Sequence, residues 1–370
     1  MHRKINILFV VTMIAALLLS ACSSATSTQS TSSLPAGSVQ INGAGATFPL
    51  PVYTEWIYAY QYVDSSVTLN YQGIGSGGGK KAIIDNTVDF AGSDSVLTAD
   101  EYTAVKDLQM YPALAGAVVP IYNVDGVTQT LTLNGTALAD IYSAKITKWN
   151  DSAITVLNPG INLPDVSITA VHRSDGSGTT EIFTNALSSF SADWKTKVGA
   201  GTSVEWPVDK AGNGIGGKGN QGVAAAVQNT PNSIGYVELS YAIANKIAFA
   251  NMINKAGNTV TANADSLVSA MNDFANNFTD KLTNTIVDGA GANSWPISGY
   301  TYIILHTTSM TDCVKAQKIV EFLKWALTDA GAAKRTADLG YSVLPDAVLT
   351  QVLAKLVAVT CNGAPVFSYP

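Results

Sequence analysis

Three times along this chain a short apolar run gives way to a glycine-rich loop and then to a helical pattern. Val39 and Ile41 alternate before Gly43-Ala44-Gly45-Ala46-Thr47-Phe48-Pro49, and Val52, Tyr53, Trp56, Ile57 and Tyr60 follow at helical spacing. Val67, Leu69 and Tyr71 alternate before Gly73-Ile74-Gly75-Ser76-Gly77-Gly78-Gly79, with a short helical run around residues 82–84. Val166, Ile168 and Ala170 alternate before Arg173-Ser174-Asp175-Gly176-Ser177-Gly178-Thr179-Thr180, and then Ile182, Phe183, Ala186, Leu187 and Phe190 recur at helical spacing. Strand, glycine turn and helix in repeated order predict an α/β fold. A further strand is expected at 302–305 and an amphipathic helix at 314–327. Trp56, Trp149 and the aromatic run from Tyr53 to Tyr62 read as core. At 370 residues the chain has room for two domains.

Loops placed where strands end and helices begin suit an anion. Helix N-termini present unpaired N–H groups and a partial positive charge. Glycine lets a backbone come close to a ligand, and serine and threonine hydroxyls add donors. Arg173 supplies a full positive charge on a planar fork suited to phosphate oxygens. Taken singly, each loop also reads as an ordinary turn, and Ser177 and Thr179 as helix caps.

Other readings of these loops fail on composition and spacing. Gly73-x-Gly75-x-x-Gly78 and Gly212-x-Gly214-x-x-Gly217 both match the dinucleotide fingerprint, and two matches in a glycine-rich chain show how little it discriminates. A P-loop needs Gly-Lys-Ser/Thr, whereas Gly79 is followed by Lys80-Lys81. With 13% charged residues and a net charge of −6, the chain lacks the basic stripe of a nucleic-acid binder. No metal pattern is present, and no cofactor is expected: the body of the chain has only His172 and His306, and no cluster of Cys or His.

The first residues read as an address. His2, Arg3 and Lys4 precede the apolar run Ile5 to Leu19, which is short for a membrane span and typical of a secretory signal. The run ends in Leu19-Ser20-Ala21-Cys22, which resembles a lipobox; lipoproteins of that kind are cut before the Cys, whose acylated thiol anchors them to a membrane. Residues 1–22 are therefore expected to be a lipoprotein signal ending at acylated Cys22, and residues 23–38, rich in Ser and Thr, a flexible tether. Removal of residues 1–21 reduces 21 basic residues to 19 against 27 acidic ones, a charge of −8. Cys313 and Cys361 remain; outside the cytoplasm they can pair, or stand as two separate buried thiols.

Six motifs then occur in order: GAGATFP, YQGIGSGGG, NTVDFAGSD, RSDGSGTT, GGKGNQGVAA and SIGYVE. The series resembles the phosphate-binding proteins of ABC-type phosphate uptake systems, from about Gly43 to Leu344-Pro345-Asp346. The resemblance implies a type II periplasmic-binding-protein clamp of two α/β domains joined by two crossovers. Residues 39–114 and 296–370 would form domain I, and residues 115–295 domain II. It implies a phosphate site at Thr47, Phe48, Ser76 and Asp94 on one side and Arg173, Ser177, Gly178 and Thr179 on the other, with Asp175 supporting Arg173. The family often has Phe-Gly-Ala-Ser-Asp where this chain has Phe90-Ala91-Gly92-Ser93-Asp94. His172, Ser174 and Thr180 fall at variable positions and are assigned no contact. A lipid-anchored receptor outside the cytoplasm follows, one that delivers phosphate to permease subunits and performs no chemistry on it.

Asp94 has a physical rationale beside that resemblance. A carboxylate next to a bound anion repels it unless the ligand brings a proton to donate. Phosphate carries one near neutral pH and sulfate does not, so Asp94 would select between them. Without the resemblance, Asp94 reads as a turn residue of Ser93-Asp94-Ser95. The alternatives are a receptor for another tetrahedral oxyanion (sulfate or molybdate), a secreted hydrolase using Ser76 or Ser177, and a surface adhesion lipoprotein. A hydrolase needs a nearby base; on an alternating strand, His172 should face away from Arg173.

Overall fold

All three strand–glycine–helix units form, in a computed structural model that describes residues 38–366. The first joins β1 (Val39–Gly45) to α1 (Leu50–Tyr60), and the second β2 (Val67–Gly73) to α2 (Ser76–Ile84). After β3 (Phe90–Ser93) and the long β4 (Leu108–Asn123), the third joins β5 (Thr169–Arg173) to α3 (Gly178–Phe190). Then come β6 (Gly214–Gly217), α4 (Gly219–Asn229), β7 (Ser233–Glu238), β8 (Ser298–His306) and α5 (Cys313–Thr328).

The third unit departs from its expected pattern. Its strand begins at Thr169 rather than Val166, and residues 170–173 are all buried. The cause is its central place: β5 pairs in parallel with β6 on one side and β7 on the other, and parallel strands are covered on both faces. Ser167 makes only an isolated bridge to Lys148.

The main sheet has nine strands in the order β2-β1-β3-β8-β4-β7-β5-β6, with Ala248–Phe249 pairing off β4. β1 is parallel to β2 and β3, while β8 is antiparallel to β3 and β4. β4 changes partner along its length: Leu108 to Ala117 run against β8, and Val118 to Asn123 against β7. The glycine loops leave the carboxyl ends of parallel strands, where α/β sheets bind ligands.

Trp56, Trp149, Trp194 and Trp295 are fully buried in the core. The aromatic run of α1 is only half core. Tyr53, Trp56 and Tyr60 share its inner face, whereas Tyr58 is 55% exposed on the other and Tyr62, in the turn just past the helix, is 75% exposed. Helical periodicity puts Tyr58 off the inner stripe, and the helix has ended before Tyr62.

Cys313, at the start of α5, is bonded to Cys361 in a short strand near the C-terminus, with their Cα atoms 5.4 Å apart. Among the described residues, no helix is long and apolar enough to cross a membrane. The expected signal, Cys22 and the tether up to Gly37 lie outside the described residues; Ser38 is the first described.

Candidate functional site

The three loops converge, and the second and third touch directly. The N–H of Gly77 donates to the carbonyl of Gly176 at 3.0 Å, and that of Gly178 to the hydroxyl of Ser76 at 3.1 Å. Glycine makes the approach possible. Gly75 has φ of +85°, and a Cβ there would lie 2.4 Å from an Asp175 carboxylate oxygen. A Cβ on Gly178 would lie 2.6 Å from both the Cβ of Asp94 and the hydroxyl of Ser76. The first loop is tied in by Asn220, near the start of α4. Its backbone N–H and side-chain Nδ2 donate to Thr47 Oγ1 at 3.1 and 2.9 Å, and Nδ2 also donates to Thr179 Oγ1 at 3.2 Å.

These contacts turn hydroxyls into donors. A hydroxyl oxygen has two lone pairs and one proton. Ser76 Oγ accepts from the N–H groups of Asp94 and Gly178, at 3.2 and 3.1 Å. Thr47 Oγ1 accepts twice from Asn220, and Thr179 Oγ1 accepts from Asn220 and, at 3.4 Å, from Arg173 Nη1. With both lone pairs engaged, each hydroxyl can only donate; Ser76 points its proton at Asp94 Oδ2, 3.4 Å away, while those of Thr47 and Thr179 meet no acceptor among the described residues. Ser177 does cap α3, its Oγ accepting from Thr180 N–H at 3.0 Å. The backbone N–H groups of Thr47, Phe48, Ser76 and Thr179 take no acceptor among the described residues. Phe48 contributes backbone alone, since its ring is buried edge-on to Tyr341.

Two charged groups face this cluster. Arg173, 5% exposed, is gripped by Asp175 through Nε at 2.8 Å and Nη2 at 2.6 Å. Asp175 also accepts the N–H of Gly219 at 3.0 Å. Burial works to raise the Asp175 carboxyl, but the hydrogen bonds and charge of Arg173 outweigh it and hold it below its usual value. Asp94 is the opposite case. Burial pushes it up to about 7, against the pull of Thr301, Arg173 and Ser76. Its Oδ1 accepts from Thr301 at 2.7 Å, and its Oδ2 faces the Ser76 hydroxyl at 3.4 Å. One cation, hydroxyls and N–H groups thus surround the Asp94 carboxyl, which is readily protonated.

Thr47, Phe48, Ser76, Asp94, Arg173, Asp175, Ser177, Gly178 and Thr179 therefore lie in one connected group. Asn220 and Thr301 belong to it as well and were not singled out from the sequence, although GGKGNQGVAA contains Asn220. Behind Phe48, Tyr341 donates to its carbonyl at 2.6 Å and contacts Glu238 Oε2, also at 2.6 Å. Glu238 is fully buried, its Oε1 has no partner among the described residues, and burial pushes it up to about 8. His172 turns away, stacking on Trp206, with Nε2 2.8 Å from Asp209 and Nδ1 donating to the Arg173 carbonyl at 3.0 Å. Among the described residues, neither Ser76 nor Ser177 is bonded to a histidine. Among the described residues, no group of three His, Cys, Asp or Glu is placed to hold a metal ion.

Residues 24–330 match the PBP superfamily domain. The phosphate-binding protein PstS of Xylella fastidiosa (strain 9a5c) is 42% identical over 318 residues, covering 86% of this chain and 85% of the relative. That of Pasteurella multocida (strain Pm70) is 42% identical over 88% of this chain and 92% of its own. Among solved structures, a phosphate binding protein from Stenotrophomonas maltophilia superimposes with a TM-score of 0.65 at 22% identity, over 89% of this chain and 99% of that one. A high affinity periplasmic phosphate-binding protein solved with bound phosphate gives 0.68 at 22% identity, over 85% and 93%. At such identities the structures speak to the fold.

Proposed function

The chain belongs to the phosphate-binding proteins of the PBP superfamily, and from that membership we propose that it captures inorganic phosphate and delivers it to the permease of an ABC transporter. The observation that carries this reading is the saturation of Thr47, Ser76 and Thr179 as acceptors. The hydroxyl protons of Thr47 and Thr179, four N–H groups and one guanidinium then remain for an oxyanion, the Ser76 proton being shared with Asp94, and one protonatable carboxyl remains for an oxyanion that has a proton of its own. Binding energy comes from many short-range donors in a dry pocket.

In this reading the receptor works outside the cytoplasm, held to the membrane by lipid on Cys22 and a tether through Ser38. Residues 39–114 with 296–370 make one lobe and residues 115–295 the other, with β4 and β8 as the crossovers. Hinge opening separates Ser76 from Gly178 and releases the ligand. No bond of phosphate is made or broken, and His172, engaged with Asp209, supplies no base to either serine. Asp94 favours phosphate over sulfate or molybdate, which offer it no proton.

Equilibrium dialysis against radiolabelled phosphate tests the proposal. Saturable one-to-one retention at micromolar concentration is expected, and no retention at that concentration would overturn it.

A further inference from the structure

Asn220 has no hydrogen left for a ligand. Its two side-chain protons go to Thr47 and Thr179, its backbone N–H goes to Thr47, and its Oδ1 accepts the N–H of Glu238 at 2.9 Å. That last contact fixes the amide, because an N–H group can only donate, so the oxygen must face Glu238 and the NH2 the two threonines. Asn220 is fully buried, and Thr47 and Thr179 are 1% and 0% exposed, so water does not compete for these bonds.

From this inventory we infer that Asn220 is a positioning residue that aims the hydroxyl protons of Thr47 and Thr179 at the bound anion. A threonine hydroxyl ordinarily chooses between giving and accepting. Here that choice is removed: Thr47 Oγ1 holds two N–H groups of Asn220, and Thr179 Oγ1 holds one from Asn220 and one from Arg173. Among the described residues, neither proton is directed at a protein acceptor. Both hydroxyls become obligate donors, one reached from the β1 loop and one from α3. The neighbouring Gly219 plays the parallel part for the cation, its N–H holding the Asp175 carboxylate that grips Arg173. The first two residues of α4 thereby orient three of the groups that face the ligand without contacting it. The assignment rests on the cleft being a phosphate site.

The test is a cycle of phosphate titrations by calorimetry on the full-length protein, with the melting temperature of each ligand-free variant recorded to verify folding. Asn220→Ala is expected to weaken phosphate binding about 10-fold or more. In a background where Thr47→Val and Thr179→Val have removed both hydroxyls, the same change is expected to cost less than about threefold, because the protons it directs are gone. An equal factor in both backgrounds would make Asn220 a structural strut and overturn the inference alone. Absence of phosphate binding by the unsubstituted protein would overturn the parent reading and this one with it. Neutron diffraction from the unsubstituted phosphate complex reads the same protons without any variant. Density on Thr47 and Thr179 Oγ1 directed at phosphate supports the inference, and density directed at Asn220 overturns it.

Discussion

The backbone N–H of Gly178 donates to the hydroxyl of Ser76 at 3.1 Å, across 102 residues of sequence. This bond joins the start of α3 to the start of α2, and it forms only because Gly178 lacks a Cβ. The backbone there does not need glycine for its dihedral angles, as Gly178 is not among the positive-φ residues. What glycine supplies is room.

Gly178→Ala should therefore leave each half of the protein folded while holding the loops apart. Its Cβ would meet Asp94 and Ser76 at 2.6 Å, closer than van der Waals contact allows. Phosphate affinity is expected to fall about 100-fold, corresponding to ~3 kcal/mol. Small-angle scattering should show the variant more open than the unsubstituted protein at saturating phosphate.

Asp94→Asn replaces a carboxyl, which accepts on both oxygens when ionised, with an amide that can donate at every pH. Phosphate binding is expected to weaken about 10-fold, and the ratio of phosphate to sulfate affinity to narrow by at least a similar factor. Competition titrations with the two anions measure both. An unchanged ratio would mean that selectivity comes from elsewhere.

Asp94 and Glu238 also tie stability to pH. Burial raises them to about 7 and about 8 from ordinary values of 3.8 and 4.5. Between about pH 4 and 8 the folded state thus retains protons that the unfolded chain has lost, and the stability of the ligand-free protein must fall as pH rises through that window. For Asp94 the cost at the top of the window is on the order of 4 kcal/mol. Asp175 and Asp107 are held below their ordinary value, so they do not titrate there. Melting temperatures from pH 5 to 8 should decline, and D94N/E238Q should flatten the decline.

The bond between Cys313 and Cys361 closes a loop of 48 residues, which stabilises by about 4 kcal/mol in the chain-entropy account. Reduction, or Cys313→Ser with Cys361→Ser, should lower the denaturation midpoint. Phosphate affinity should change by less than about twofold, because the bond lies on α5 and the C-terminal strand, and neither carries a site residue.

Much of the site was legible because its parts are local. Each loop shows its glycines and hydroxyls side by side, and Asp175 sits two residues from the Arg173 it holds. Asn220 was not legible, though its motif was visible, because its role exists only through contacts with Thr47 and Thr179. Thr301, 207 residues from Asp94, carries no local mark at all. The glycines of the second and third loops invited a reading as space for a ligand. At Gly75 the nearest obstacle is Asp175 of the opposing loop, and at Gly178 it is Ser76 and Asp94 together; sequence does not reveal what a missing Cβ faces. The strand at Val166 was placed early because alternation describes a sheet wet on one face, whereas β5 is covered on both.

Shortage of charge belongs to the same design. With 27 acidic residues against 21 basic ones, the overall field repels an anion, so attraction must come from neutral donors and Arg173 at contact distance. The most direct test is calorimetric titration of residues 39–370 with phosphate and sulfate in parallel, at about 0.05 M and 0.5 M salt. One phosphate should bind at micromolar concentration or tighter, with little change between the two salts, and sulfate should give no comparable heat. Equal binding of sulfate, or a phosphate affinity that collapses at high salt, would contradict a short-range site tuned to a protonated oxyanion.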